Sequence, residues 1–335
     1  MTQQNALVWE GGQVVKVRPV PVPESRSGWV AVDITYAGIC GSDLHVSAGE
    51  HIRAQPGTIL GHEFFGRLAE PYQDLPVGHP VFVNPMVHCG GCQACLAGRT
   101  NVCRALTAVG VDYPGAIAPR TVVPDYGIYP LPADIDLVAG ALIEPVAVAV
   151  RAVRRSGLAL GDRAHVIGGG PVGCLVALLS TAAGATVTMS EPSQARRRYA
   201  TDLGLTIVEY PADLGQGADV VFDAYGHTSV AGELLRWLRT AGTAVIVGAY
   251  SPGLHGVDLL SVMFCRDHDH RHTHLSAQRH RGRYRASHYR QGQCPPLDQP
   301  DLSARASRRR DRQLAPRRRN EGVDRAHPGT SNGIR

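Results

Sequence analysis

The chain has 335 residues, enough for two domains, and 44% of them are hydrophobic, an ordinary supply for buried cores. The net charge of +5 hides an uneven spread: residues 1–265 carry 17 Lys+Arg against 22 Asp+Glu, and residues 266–335 carry 17 Arg against 7 Asp+Glu. No apolar run approaches the roughly 18 residues of a membrane span, and no basic segment leads into an apolar one at the start. A cytoplasmic location is expected, and the eight cysteines then read as metal ligands or free thiols rather than disulfides.

Residues 6–36 read as short strands, with a tight hairpin at Gly11-Gly12; Pro19, Pro21 and Pro23 exclude a central strand there. This is the texture of a small, irregular β-barrel-like domain. Next come Cys40-Gly41-Ser42-Asp43-Leu44-His45 and Gly61-His62-Glu63. Thiolate, imidazole and carboxylate are zinc-ligand types, and three of them with a fourth position open is the catalytic pattern. The plainer alternative is a buried cysteine beside a core histidine. Ser42 or Asp43 is expected to cap a short helix, placing Cys40 just before an N-terminus that favours its thiolate.

Cys89, Cys92, Cys95 and Cys103 follow with spacing C-x2-C-x2-C-x7-C. Four thiolates at these intervals wrap one tetrahedral zinc and leave no position for substrate, so the site is structural. An iron–sulfur cluster also uses four cysteines. Residues 104–137 return to short β runs, and Asp136–Ser156 takes a helical period, with Pro145 as a break or a start. Glu144, the one acid in this apolar stretch, needs a partner, either zinc or a basic side chain.

From Asp162 the pattern changes. Arg163–Ile167 is a buried-strand candidate that runs into Gly168-Gly169-Gly170-Pro171-Val172-Gly173, a G-x-G-x-x-G turn. An apolar helix over Cys174–Ala183 and a strand over Thr186–Met189 follow, ending at Ser190-Glu191. Strand, glycine turn, helix, strand and terminal acid together form a dinucleotide-binding unit. The helix N-terminus takes the pyrophosphate. Glu191 accepts from the ribose hydroxyls and repels a 2′-phosphate, so NAD is preferred over NADP; Arg196, Arg197 and Arg198 close behind weaken that preference. Residues 218–223 and 243–248 read as parallel strands, with a helix over Glu233–Leu238 between them.

In their joint order the Cys40–His45 and Gly61–Glu63 motifs, the four-cysteine loop, Glu144-Pro145 and the Gly168–Gly173 turn resemble the zinc-dependent medium-chain dehydrogenases/reductases, the alcohol and polyol dehydrogenase family. The resemblance covers residues 1 to about 264 and implies an α/β protein. A GroES-like β-barrel zinc-binding domain (1–150) is joined to an NAD-binding Rossmann domain (151–264), a doubly wound parallel sheet that is incomplete here. It further implies that Cys40, His62 and Glu63 hold a catalytic zinc. Glu144 takes the place of the second cysteine, as in the sorbitol, threonine and butanediol dehydrogenase branch. Cys89, Cys92, Cys95 and Cys103 hold a structural zinc. Gly168, Gly170, Pro171, Val172, Gly173, Glu191 and Arg196 are the implied cofactor contacts, and Ser42 and His45 the relay that carries the alcohol proton outward. The implied substrate is a secondary alcohol, polyol or cyclitol, oxidised to the ketone. His79 departs from the family, which has Asp there, and is expected to affect a loop rather than chemistry. A reductase without catalytic zinc is a further reading, against which Cys40, His62 and Glu63 argue together.

The likeness stops near Val262-Met263-Phe264. Only 15 of the last 70 residues are hydrophobic, and a segment so poor in apolar residues is expected to be disordered. A frameshift near residues 264–266 accounts for the abrupt change. The competing account is a genuine basic tail on a non-catalytic zinc protein that binds nucleic acid; only Tyr284 and Tyr289 in the tail are aromatic, which argues against a stacking platform. Family members form homodimers or homotetramers, and loss of the next strand puts that assembly in doubt. Read in the other two frames, the coding DNA after Met263 is expected to encode a further strand and a returning helix; if neither frame does, the frameshift is refuted. The 335-residue chain is expected to turn over secondary alcohols weakly or not at all, and full turnover would count against a lost C-terminus.

Overall fold

The computed structural model turns at Gly11-Gly12 as the sequence predicts, folding β1 (Gln3–Gly11) antiparallel onto β2 (Val14–Pro21). It describes residues 2–209, 214–215 and 217–250, all within one compact unit, Met1–Ala277. The second unit, Gln278–Arg335, the Arg/His-rich segment 265–335 and the last part of the expected Rossmann domain lie outside the described residues.

The N-terminal part continues with β3 (Trp29–Gly38), α1 (Gly41–Ser47), β4 (Thr58–Ile59), β5 (Glu63–Leu68), β6 (Pro80–Val83), β7 (Met86–Val87), α2 (Gln93–Leu96), β8 (Thr107–Ala108), β9 (Arg120–Pro124) and β10 (Ile128–Pro130). The strands form an antiparallel sheet in the order β10-β6-β5-β3-β9, a smaller sheet β2-β1-β4 and the ribbon β7-β8. The prolines of β2 lie on the outer strand of its sheet, where a missing N–H breaks no central ladder. Val32, Phe64, Leu68, Val81, Val83 and Val123 form the main core of this part. A second cluster of Trp9, Val46, Ala54 and Leu60 pins α1 through Val46.

Asp136 caps α3 (Leu137–Ala141), accepting from Ala139 N at 2.8 Å. The break falls at Leu142, and Pro145 lies inside the first turn of α4 (Ile143–Ser156), where its missing N–H costs no hydrogen bond. A Cβ on Gly140 would come within 2.8 Å of the Phe65 ring, so this glycine lets α3 settle on β5. That approach carries the start of α4 to the same strand.

The remaining elements are β11 (Arg163–Ile167), α5 (Pro171–Ala182), β12 (Thr186–Ser190), α6 (Gln194–Asp202), β13 (Thr206–Ile207), β14 (Ala218–Asp223), α7 (Thr228–Ala231) and β15 (Leu238–Ile246). All their strand pairs are parallel, in the order β13-β12-β11-β14-β15, the first five positions of a doubly wound dinucleotide sheet. The strand at 218–223 is as expected, and α5 begins three residues early because Pro171 suits a first helical turn. The expected helix over Glu233–Leu238 is corrected. Gly232 ends α7, only a 3-10 turn, Leu234–Trp237, follows, and Leu238 already pairs with Ala218. Leu234, Trp237 and Leu238 are all buried, so their helix-like spacing records one turn packed on the sheet.

His165, in the middle of β11, is fully buried, and burial pushes its pKa down to about 3. The unfolded chain binds a proton near pH 6.5 that the fold refuses. Stability from this group is therefore complete above pH 6.5 and lost as pH falls toward 3. Between pH 7 and pH 5, His165 is expected to cost about 2 kcal/mol of stability. Urea melts at both pH values should show this loss in the native chain and not in H165Q, and equal losses in both would refute it.

Candidate metal centres and cofactor cavity

Strand register assembles the first site. β3 and β5 pair antiparallel with Gly38 opposite Glu63, so the residues just beyond β3 face those just before β5. Ligand atoms of Cys40, His62 and Glu63 consequently lie within 4.8 Å of one another. Cys40, directly before the helix as expected, is itself the N-cap residue of α1, with extended backbone, and Asp43 caps with it from the first turn as the other half of a capping box, while Ser42 does not. Asp43 Oδ2 accepts from Cys40 N at 2.9 Å.

Asp43 is the residue the sequence reading undervalued. It is 3% exposed. Its Oδ1 accepts from Gly61 N at 3.1 Å and stands 3.6 Å from His62 Nδ1. One buried carboxylate thus holds the backbone at Cys40 and Gly61 and faces the imidazole between them. The other ring nitrogen, Nε2, is 3.1 Å from Ser42 Oγ, while Nδ1 is buried without a hydrogen bond. Burial alone would disfavour a charged His62, but Asp43 and Cys40 outweigh it and push its pKa up to about 10.

Glu144 arrives on the first turn of α4 and does not complete the 4.8 Å group. Burial pushes its carboxyl up to about 7, with the charge of His62 opposing and that of Glu63 adding. No basic side chain among the described residues pairs with it, which removes the salt-bridge alternative within them. A thiol, an imidazole and acids competing for one positive charge suit a divalent cation. The proposed relay residues sit on α1, where His45 Nδ1 lies 3.0 Å from Oε2 of the exposed Glu50. His79 lies in the turn before β6, apart from this group.

The four cysteines form a second cluster, also within 4.8 Å. Sulfur separations of 3.5 Å (Cys92–Cys95), 3.9 Å (Cys92–Cys103) and 3.5 Å (Cys103–Cys89) are those of free thiols, not disulfides. The N–H groups of Arg104 and Cys95 pull Cys92 down to about 6, whereas lost hydration and the neighbouring thiols push Cys95 up to about 12. Such uneven charging is what four close sulfurs do by themselves, and a divalent cation is what lets all four ionise.

At the carboxyl edge of the parallel sheet, Ile167 aligns with Ser190 on one side and Asp223 on the other. Gly170 is the N-cap of α5, and Pro171 opens the helix. A Cβ on Gly173 would lie 1.9 Å from Gly168 O, so only glycine lets the helix pack this close to the strand. Val172 packs against the core of the sheet. Beside this turn lies a cavity of about 430 Å³, lined by Gly168, Ser190, Glu191, Arg197, Tyr225 and Trp237 among others. Glu191 is buried, its Oε2 accepting from Gly169 N at 2.6 Å and its Oε1 from Ser193 N at 2.8 Å. Arg196 is exposed and off the lining. The cavity arginine is Arg197, which donates to Glu191 O at 3.1 Å. Arginines on successive helical positions point different ways, and the sequence alone does not set which one faces in.

The profile of the alcohol dehydrogenase GroES-like domain matches residues 26–133, and that of the zinc-binding dehydrogenases matches 171–283. A 2-dehydro-3-deoxy-L-galactonate 5-dehydrogenase of Pseudoalteromonas atlantica is 38% identical over 241 residues, covering 68% of this chain and 70% of that one. An L-galactonate-5-dehydrogenase of Escherichia coli is 36% identical over 271 residues, covering 76% and 77%. A zinc-binding dehydrogenase of Sinorhizobium meliloti, solved bound to NADP, superposes with a TM-score of 0.72 at 31% identity, covering 78% and 81%. No helix among the described residues is long and apolar enough to cross a membrane.

Replacing Asp43 by Ala is expected to weaken zinc retention at Cys40, His62 and Glu63 about 10- to 100-fold, the usual cost of losing a group that orients a ligand. Competition with a chromophoric chelator measures it. Retention by the four-cysteine cluster should not change, and equal zinc affinity in D43A would refute this role.

Proposed function

The chain belongs to the zinc-dependent medium-chain dehydrogenase/reductase family, and on that premise we propose that it oxidises a secondary hydroxyl of a polyol, cyclitol or sugar acid to the ketone with two zinc ions and NAD. It is an oxidoreductase with a zinc and a nicotinamide cofactor. The observation that carries the proposal is the convergence of Cys40, His62 and Glu63 within 4.8 Å. The names of the two galactonate dehydrogenases support the sugar-acid end of the substrate range, and dehydrogenase relatives favour this reading over a non-catalytic zinc protein.

Cys40, His62 and Glu63 hold the catalytic ion, with Glu144 as the carboxylate from α4. Cys89, Cys92, Cys95 and Cys103 hold the structural one. When bound, zinc would supply a Lewis acid for the substrate hydroxyl and the nicotinamide a hydride acceptor. Ser42 stands against His62, one helical turn from His45. It receives the hydroxyl proton and passes it to His45, and Glu50, on the ring of His45, leads the proton to solvent. Asp43 keeps His62 and Cys40 in register throughout. Gly168, Gly170, Pro171 and Gly173 shape the pyrophosphate turn.

Glu191 supports NAD over NADP, because its buried carboxylate would face a 2′-phosphate at the cavity. Arg197, lining the same cavity, tempers that preference.

The test is a panel of polyols, cyclitols and sugar acids with NAD, followed by NADH absorbance alongside zinc analysis. At least one substrate is expected to react, weakly in the 335-residue chain, with that activity falling about 100-fold or more in S42A and abolished in C40S. Two zinc ions per chain are expected, one of them lost in C40S. Turnover that survives C40S would sink the proposal. E191A is expected to narrow the NAD-to-NADP ratio of kcat/KM, and an unchanged ratio would remove Glu191 from cofactor choice.

A further inference from the structure

We propose that His165 is a positioning residue for the adenosine half of the cofactor: from beneath the cavity it orients two of the walls, the Ser190 hydroxyl and the Trp237 ring. The inference rests on the reading of that cavity as the dinucleotide site.

Around His165 on β11 every residue but Arg163 is apolar, and an imidazole buried among them is costly unless both nitrogens are paired. Both are. Nδ1 is 2.9 Å from Thr188 Oγ1, and Nε2 is 3.1 Å from Ser190 Oγ. Thr188 stands directly across the ladder from His165, and Val221 on the other side. The third contact is a ring stack: the His165 and Trp237 centroids are 4.0 Å apart, with planes 4° from parallel. Ser190 and Trp237 line the cavity and His165 does not. One ring therefore links two walls that come from different elements, β12 and the 3-10 turn Leu234–Trp237.

In either tautomer of the neutral ring both hydroxyls stay tied to His165, Thr188 Oγ1 at 2.9 Å and Ser190 Oγ at 3.1 Å, so the ring fixes where the Ser190 hydroxyl stands in the cavity wall. The neighbouring Glu191 carboxylate is a hydrogen-bond acceptor on the same wall. Together they suit the free 2′- and 3′-hydroxyls of an unphosphorylated ribose. Trp237 supplies a flat face whose angle the stack on His165 sets.

The experiment uses full-length, zinc-loaded chain. Wild type and H165F are titrated by calorimetry with NADH, ADP-ribose and nicotinamide mononucleotide, with thermal melting as the folding control. In H165F an aromatic ring still faces Trp237, but Ser190 and Thr188 both lose their hydrogen-bond partner on residue 165. NADH and ADP-ribose are expected to bind about 3- to 10-fold more weakly, and nicotinamide mononucleotide as in wild type. A general loss of structure would weaken all three alike, and that result overturns the proposal. Unchanged ADP-ribose affinity in folded H165F overturns it too, while NADH binding by wild type leaves the cofactor reading standing. If H165F does not fold, H165Q takes its place, with the same loss expected and the same result fatal. A folded wild type that binds neither NADH nor ADP-ribose overturns the cofactor reading and this inference with it.

Discussion

The first site depends on one buried carboxylate. Asp43 satisfies two backbone N–H groups, one at half-buried Cys40 and one at buried Gly61. In doing so it joins the start of α1 to the loop before β5. It also places a negative charge beside His62, so the imidazole is held from one side while its neighbours supply a thiol and carboxylates. The ladder between β3 and β5 brings these segments close. Asp43 sets their orientation within that approach.

Electrostatics gives the two clusters their common character. In the first, His62 is driven toward its charged form and Glu144 toward its neutral one. In the second, Cys92 is driven toward thiolate while Cys95 keeps its proton. Each cluster shares too little positive charge among too many anionic donors, and a divalent cation resolves both. The clusters differ in how they are built. Four cysteines within one loop need little beyond their own turns. The other set needs two strands and a short helix.

Much of this was legible in the chain, because local chemistry carried it. The C-x2-C-x2-C-x7-C loop, the glycine turn before α5 and the strands at 163–167 and 218–223 each rest on residues adjacent in sequence, and the structure places them as read. Asp43 was harder to read. An acid one position from a serine on a short helix looks like a cap, and only the approach of Gly61 and His62 shows what it holds. The helix expected over Glu233–Leu238 erred for a related reason: apolar residues three and four apart describe a helix face and equally a single turn pressed on a sheet.

By itself the sequence determined which thiols, imidazole and carboxylates were candidates to cluster, the glycine turn and the division into an irregular β part and a parallel α/β part, since spacing and periodicity are local properties. The tertiary structure decided which groups meet. It put Arg197 rather than Arg196 on the cavity, brought Glu144 to the edge of the Cys40 site without making it a member, and stacked His165 on Trp237 across 72 positions of chain. These are contacts between distant segments. They follow from strand register and helix rotation, and no local pattern of residues encodes either.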